Sequence, residues 1–422
     1  MKKLTVWLLQ TGEPLHVDDG SPRPMRAMNL SNALVEAGHR VVLWSTAFNH
    51  QTKKHRSKKF EQITLSEKLE IRLVPSPGYH ANIGLGRLWD HAILARNLSK
   101  LIDLESDLPD VAFIGYPPIE TAVVMINYLS SKQIPTILDI KDQWPSLFLD
   151  PLPEILHPLG RLILYPYYFL AKQAMLQATC ISTMAEGYLD WCTRFSGRNE
   201  NFNDRVFPLT SPQGNCSEQD LIMARKWWDE QGVKYDPSIT RIIFVGSHMS
   251  IFDFEPIRTA ANSCLTESIP VEFIICGDGG SSQQIRKSMI NLSNVYFPGW
   301  IDRPKIEVLA ERSQASIAPY RNISNFVDNL PNKVLDSLAL GLPILSPLKG
   351  EVFKLINTYK VGFSYSLNTE DSLLNKIKLL VNDSVLSLEM RENAKHLYTH
   401  FFEYNHVYNR FVSHIESLSI SR

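Results

Sequence analysis

The chain has 422 residues, 44% of them hydrophobic and 21% charged, which is long enough for two α/β domains of about 200 residues each and far from the composition of a disordered polypeptide. Lysine and arginine number 43 against 44 aspartates and glutamates, a formal net charge of −1, so a nucleic-acid binder held by bulk charge is excluded and only local basic patches stay open. The five cysteines, Cys180, Cys192, Cys216, Cys264 and Cys276, include no C-x-x-C pair, which fits neither a disulfide framework nor a zinc site and points to a reducing compartment.

Met1-Lys2-Lys3 and the apolar run 4–9 open like a signal peptide, but the run stops at Gln10-Thr11-Gly12-Glu13 without a small-residue cleavage site, so a buried first strand is expected. A polar loop follows, holding Asp18-Asp19-Gly20-Ser21-Pro22-Arg23. Gly20 permits close approach of the backbone to a ligand and is as easily an ordinary turn residue. A helical pattern over 25–37, which includes Arg26, leads through Gly38-His39 to a second apolar run at 41–44. Residues 50–59 are strongly basic, with Lys53, Lys54, Arg56, Lys58 and Lys59.

A third strand is expected at 70–74. The segment after it carries Tyr79-His80-Ala81-Asn82 with Gly84, Arg87, Asp90 and His91, and His80 is a candidate for orienting a substrate hydroxyl. Further strands are expected at 111–115 and 136–140. Residues 151–170 are lightly charged and rich in aromatic and aliphatic side chains, among them Leu152, Ile155, Leu156, Leu159, Leu162, Ile163, Tyr165, Tyr167, Tyr168 and Phe169. The apolar stretch within it is far shorter than the ~20 residues that cross a bilayer. Together with the basic run it supplies the two signals that binding to an anionic membrane surface needs, although a buried helix beside a solvated loop explains both equally well.

Beyond a polar stretch at 199–220, apolar runs at 241–246, 271–277, 294–297, 315–319 and 343–346 begin a second series. Strands alternating with helical patterns are βαβ syntax, so two Rossmann-like domains with parallel sheets are expected, the first over 1–205 and the second over 206–397. In such sheets ligands sit where strands end in loops.

The most informative segment is Asp328-Asn329-Leu330-Pro331-Asn332-Lys333-Val334-Leu335-Asp336, continuing to Gly341. Acidic residues are common enough that several pairs eight apart arise by chance, so the spacing of Asp328 and Asp336 proves nothing alone. The context is more telling: a Pro-Asn turn opens a helix, glycine closes it, and a buried strand follows at once. A helix N-terminus offers free N–H groups and a positive dipole end to an anion such as a diphosphate, and Lys333 adds a charge there. A plain surface connection explains the turn and the cap as well.

This stretch resembles the E-x7-E region of retaining GT-B glycosyltransferases of family four, with aspartate in place of glutamate at both ends. The resemblance implies that Asp328 holds sugar hydroxyls of a donor, that the amides of Asn329 and Leu330 meet its sugar or diphosphate, and that Asp336 holds the ribose. Lys333 sits in a turn similar to the family's Pro-x-Lys and would contact the diphosphate, which makes Asp328 and Lys333 the catalytic candidates. Gly38-His39-Arg40-Val41 resembles the G-H-x-V that closes the first βαβ unit of these enzymes. Phe297-Pro298-Gly299-Trp300 looks like the turn that reads the nucleotide base. Asp139-Ile140-Lys141-Asp142-Gln143-Trp144-Pro145 is similar to the D-x-R-D-x-W-P-like segment of the bacterial subgroup that builds O-antigen, capsule and related surface polysaccharides. Read without the family, Asp142 caps a helix and Trp144 packs the domain.

The resemblance covers most of the chain and implies an α/β architecture of GT-B type, two Rossmann-like domains facing a central cleft, with 398–422 a helix returning to the first. It implies donor contacts from Gly246, Ser247, Gly277, Trp300 and Arg321 as well, and acceptor contacts from Gly20, Arg26, His80, Asp139, Asp142 and Trp144. The implied activity is retaining hexosyl or N-acetylhexosaminyl transfer (EC 2.4) from a UDP- or GDP-linked sugar to a lipid-linked glycan. It would run in the cytoplasm, peripherally on the inner face of an anionic membrane, with no cofactor, metal or nucleic acid. One departure matters: Gly246-Ser247-His248-Met249-Ser250-Ile251-Phe252-Asp253 lacks the arginine or lysine that usually neutralises the diphosphate, leaving Lys333, Arg321 and backbone amides. Two other functions stay open, a nucleotide-sugar epimerase and a non-catalytic GT-B scaffold subunit.

Overall fold

The apolar runs of the first half condense into one sheet because each is hydrophobic on both faces and needs a helix layer on each side. In a computed structural model its strands are β1 (Thr5–Leu9), β2 (Arg40–Thr46), β5 (Glu61–Ser66), β6 (Leu69–Val74), β7 (Val111–Tyr116), β8 (Thr136–Ile140), β9 (Cys180–Thr183) and β10 (Arg205–Val206). Between β2 and β5 lies a small antiparallel pair, β3 (Phe48–Asn49) and β4 (Lys54–His55). The structure describes all residues except 1–2, 21, 83, 151, 200, 211, 213, 215, 370 and 421–422, so Met1, Lys2 and Ser21, named above, and the first residue of the apolar segment 151–170 lie outside the described residues. The chain divides into two compact units, Met1–Ser211 with Tyr404–Arg422, and Pro212–Glu403.

In the first unit the strand order is β10-β9-β8-β7-β1-β2-β6-β5, parallel except for β5, which pairs antiparallel with β6. Helices Arg26–Glu36 and Tyr404–Ile420 cover one face, and Leu85–Ile102, Ile119–Ser131 and Tyr165–Gln177 the other. Phe411 of the last helix stacks on Phe207 with centroids 3.8 Å apart, which fastens the chain's end to this unit. The unit extends past residue 205 because β10 pairs with β9, and the returning helix starts at Tyr404 because the wide turn Tyr398–Phe402 continues the helix before it.

The second unit carries β11 (Thr240–Val245), β12 (Val271–Cys276), β13 (Val295–Gly299), β14 (Ala315–Ile317), β15 (Ile344–Ser346) and β16 (Gly362–Ser364), all parallel in the order β13-β12-β11-β14-β15-β16. Alternation along β11 sends Ile242 and Phe244 into one core and Ile243 into the other, the two-sided burial of a doubly wound sheet. The helix Asn332–Ala339 ends as its sequence predicts: Gly341 has φ +64, its N–H bonds the Leu338 carbonyl at 2.9 Å, and the Leu342 N–H bonds the Ser337 carbonyl at 2.9 Å.

Candidate active site

In the second unit the chain leaves β11 through Gly246, whose φ is +150; a Cβ there would lie 1.5 Å from Lys333 Nζ. The lysine comes from the first turn of the helix Asn332–Ala339, reaches across the rings of Phe244 and Phe252 at 4.6 and 5.4 Å, and donates to the Val245 carbonyl. Glycine at 246 is therefore what lets a cation stand at the end of β11. Gly277, with φ +117, is held equally close, since a Cβ on it would meet the Gly246 carbonyl oxygen at 2.0 Å. Hydrogen bonds continue past the strand ends, from Gly246 N–H to Cys276 O (3.1 Å), His248 N–H to Asp278 O (2.9 Å) and Gly277 N–H to Gly299 O (2.7 Å). The result is a backbone shelf at the carboxyl ends of β11, β12 and β13, where an open parallel sheet binds ligands.

His248 anchors the shelf from beneath. It is buried, its Nδ1 lies 2.9 Å from Ser282 Oγ, and burial, then the charge of Arg286, hold its pKa below the usual histidine value against the opposing pull of Asp278, so the ring is neutral. Arg321 is more than half exposed and tied to the loop after β11: its Nε donates to the Ser250 carbonyl at 3.1 Å and its Nη1 lies 3.6 Å from Asp253 Oδ2. Asp328 is half-buried at the end of the short helix Ser324–Val327. Asn329 is buried, and its Oδ1 accepts from the Leu330 N–H at 2.8 Å. Asp336 is half-buried near Tyr320, whose hydroxyl is pushed up by burial and then by that carboxylate.

The first unit encloses a cavity of about 270 Å³ whose lining includes Glu13, His50, Tyr79, Arg87, His91, Lys141 and Asp142. Glu13 is fixed from two sides, accepting from the Ala27 N–H at 2.8 Å and pairing with Lys141. His50 Nδ1 lies 2.5 Å from the Tyr79 hydroxyl. Burial, helped by Lys53 and Arg87, pushes the His50 pKa down to about 4, and burial with Arg87 and His50 pushes that of His91 to about 3. Both imidazoles are neutral at pH 7, so they offer hydrogen bonds and no charge. Arg87 lies over the Trp144 ring at 4.8 Å, and Trp144 packs against His91 at 5.8 Å.

Over its whole length the chain is similar to a set of solved structures that share one architecture. Sucrose-phosphate synthase from Thermosynechococcus elongatus aligns at a TM-score of 0.69 with 12% identity, covering 100% of both chains. HepE of Anabaena in complex with UDP aligns at 0.63 with 14% identity over 99% of this chain and 100% of that one. WaaG, a glycosyltransferase involved in lipopolysaccharide biosynthesis, aligns at 0.62 with 13% identity over 97% and 99%. The fold is GT-B. Residues 255–397 match the family model described as Glycosyl transferases group 1. No curated protein matches the sequence.

The matched span holds Gly277, Trp300, Arg321, Asp328, Asn329, Leu330, Lys333 and Asp336, while Gly246 and Ser247, also chosen from the sequence for the donor side, precede it. Gly246, Gly277 and Lys333 lie close together at the carboxyl ends of β11 and β12. Ser247 is exposed beside them, and Trp300 is exposed just past β13, whose last carbonyl bonds Gly277. On the first unit the structure corrects several expectations. Arg26 and Asp139 are buried and face each other, Nε to Oδ2 at 3.5 Å, because alternation along β8 turns Asp139 into the sheet layer, and neither lines the cavity. Trp144 is buried behind the cavity wall, its carbonyl bonded by the Tyr116 hydroxyl at 2.6 Å. His80 is exposed and lies outside the lining, which takes its neighbour Tyr79 instead, and Gly20, with φ +80, is an exposed turn residue. Asp142 does line the cavity. Glu13, Lys141, His50 and Arg87 line it too, although the sequence offered no reason to choose them as site residues. Lys141 and Asp142 follow the last residue of β8, and that position alone marks them over Asp139.

Proposed function

We propose that the protein is a retaining glycosyltransferase that moves a hexosyl or N-acetylhexosaminyl group from a UDP- or GDP-linked sugar to a lipid-linked glycan in bacterial surface-polysaccharide assembly. The observation that carries the proposal is the Lys333 amine seated against Gly246 at the end of β11, a cation at a backbone shelf beside a helix N-terminus. The nucleotide-sugar would lie on this shelf with its ribose at Asp336, its sugar at Asp328 and its base toward Trp300. HepE was crystallised with UDP and with UDP-glucose, which supports a donor of this class on this fold.

The acceptor would enter the cavity of the first unit, where Asp142, the Glu13–Lys141 pair and two neutral histidines supply hydrogen bonds to sugar hydroxyls. In the transfer the bond from the anomeric carbon to the diphosphate oxygen breaks and a bond to the acceptor oxygen forms on the same face. The acceptor proton passes to the departing diphosphate. The protein's part is to position the reactants and to stabilise the charge gathering on the leaving group, through Lys333 and the shelf amides.

The test is incubation with a panel of UDP- and GDP-sugars and lipid-diphosphate-linked glycans, the product followed by mass spectrometry and its anomeric configuration by NMR. One donor should yield a glycosylated lipid of unchanged configuration. A second reading is favoured by the absence of any arginine or lysine across 247–253: a scaffold subunit that binds nucleotide without transfer. Tight nucleoside diphosphate binding with no product from any donor would select it.

A further inference from the structure

The first unit has a groove of about 440 Å³ that shares no lining residue with the cavity described above. It runs between the edge strand β10 and the helix Tyr404–Ile420, and its shape follows from the periodicity of that helix. Val407, Tyr408, Phe411, Val412 and Ile415 are buried on the sheet, which leaves His406, Arg410 and Ser413, at i, i+4 and i+7, as an exposed stripe along the groove with Asn409 beside them. From the other side β10, which pairs only with β9, contributes Arg205 at the free edge of the sheet. The buried rings of His414 and Phe207, 5.7 Å apart, form the floor.

Positive charge gathers here without compensation. No carboxylate lines the groove, and among the described residues neither Arg205 nor Arg410 pairs with one. Nearby acids are engaged elsewhere: Asp204 accepts from the Ile181 N–H at 2.7 Å and from Arg198 at 3.0 Å, and Glu416 lies 3.1 Å from His39. Arg205 donates to two backbone carbonyls, those of Phe202 and Asp204, which hold its guanidinium in place and leave its charge intact. His414 is neutral, its pKa pushed down to about 4 by burial and then by the charge of Arg205, so that guanidinium acts on the floor of the groove. One arginine on an edge strand is explained by protection of the edge against pairing with another sheet. A second arginine on the helix across from it is not, because like charges lining one groove repel until an anion lies between them.

We propose that this groove binds a small soluble molecule carrying a phosphate or diphosphate group, its oxygens bridging Arg205 and Arg410. Two planar guanidinium forks match an oxyanion with several acceptor oxygens, and the Asn409 amide and the Ser413 hydroxyl supply further donors. The groove also brings together two distant parts of the chain: β10 lies just before the first unit breaks off at Ser211, and His406 just after it resumes at Tyr404. An anion held by both arginines ties the returning helix to the strand that precedes the break.

The test is titration calorimetry of the full chain with inorganic phosphate, inorganic diphosphate and glycerol phosphate, run in the Lys333→Ala background so that the shelf of the second unit contributes little. At least one of the three should bind and raise Tm, and the tightest tells a free oxyanion from a phosphate ester. Arg205→Gln with Arg410→Gln should weaken that binding at least ~10-fold, because each change removes a charge-assisted bond. The control pair Arg96→Gln with Arg161→Gln takes the same charge from exposed positions of the first unit and should leave the affinity as it was. Both groove arginines are exposed, and an unchanged Tm without ligand confirms that the variants are folded. If the double variant does not fold, Arg410→Gln alone, which leaves the bonds of β10 intact, carries the same comparison. Binding of none of the three at millimolar concentration overturns the proposal, as does an affinity that the double variant keeps or that the control pair loses equally.

Discussion

The contact between Gly246 and Lys333 can be broken from the glycine side. In Gly246→Ala the new methyl occupies the place of the Lys333 amine, 1.5 Å from its present position. The amine ends a flexible side chain and swings aside, so the overlap itself is cheap. The cation then loses its seat on Phe244 and its bond to the Val245 carbonyl. The backbone also has to hold an alanine at φ +150, a strain of about 1–3 kcal/mol that lowers Tm. If the displaced amine forfeits a charge-assisted bond to the diphosphate worth ~1.5–3 kcal/mol, affinity falls about 10- to 100-fold. Isothermal titration with UDP and GDP, paired with calorimetric melting, reads the two effects separately. The double variant Gly246→Ala, Lys333→Ala should bind no more weakly than Lys333→Ala alone, a coupling of at least ~1 kcal/mol. Wild-type affinity in Gly246→Ala, or losses that simply add, would refute the reasoning.

Asp336→Ala should weaken nucleoside diphosphate binding at least ~10-fold in titration calorimetry, since one charge-assisted bond to a ribose hydroxyl is worth ~1.5–3 kcal/mol; unchanged affinity in a folded variant removes the ribose role. Arg56→Ala should destabilise the first unit by about 3–5 kcal/mol because it strands Asp18 in a buried site. For Asp18, burial alone would raise the pKa, yet Arg56 and the Leu15 N–H outweigh it and hold it below the usual carboxylate range. That stability is present above the unfolded value of ~3.9 and lost as pH falls through the folded one, so the gap between wild type and variant in acid melting should be wide at neutral pH and close once the pH has fallen below the folded value. His50 and His91 titrate at about 4 and about 3 when folded, below their usual 6.5, so the unfolded chain takes up protons first as pH falls. Stability should drop from near pH 6.5 downward by up to about 1.4 kcal/mol per pH unit for each histidine, and His91→Asn should flatten that slope; parallel curves would contradict the neutral assignment.

The parallel core was legible because its strands are continuous apolar runs: the expected strand at 136–140 is β8 to the residue, that at 111–115 stops one residue short of β7, and that at 241–246 is β11 shifted by one residue. What escaped is polar or short. β5, Glu61–Ser66, is an exposed antiparallel edge with a polar sequence, and β9 and β16 have only four and three residues, too few for any periodicity. The helix carrying Lys333 could be bounded from Pro331 and Gly341, since those residues act locally. The approach of Lys333 to Gly246 could not, because it joins positions 87 apart through tertiary packing, and without it Gly246 looks like any glycine after a strand. The same limit explains Arg26 and Asp139, whose charges suggested a binding surface while the sheet layer buries them as a pair. It also explains Arg56, one base among several in the sequence but a partner of Asp18 in the fold.

Steady-state kinetics of Lys333→Ala against wild type, with the matched nucleotide-sugar and acceptor, tests the central claim most directly. The lysine's charge matters most as the diphosphate departs, so turnover should fall by ~10²–10³ while the donor KM changes far less. A variant that transfers sugar at the wild-type rate would contradict the account and move the stabilising charge elsewhere, with Arg321 on the neighbouring loop the first residue to examine.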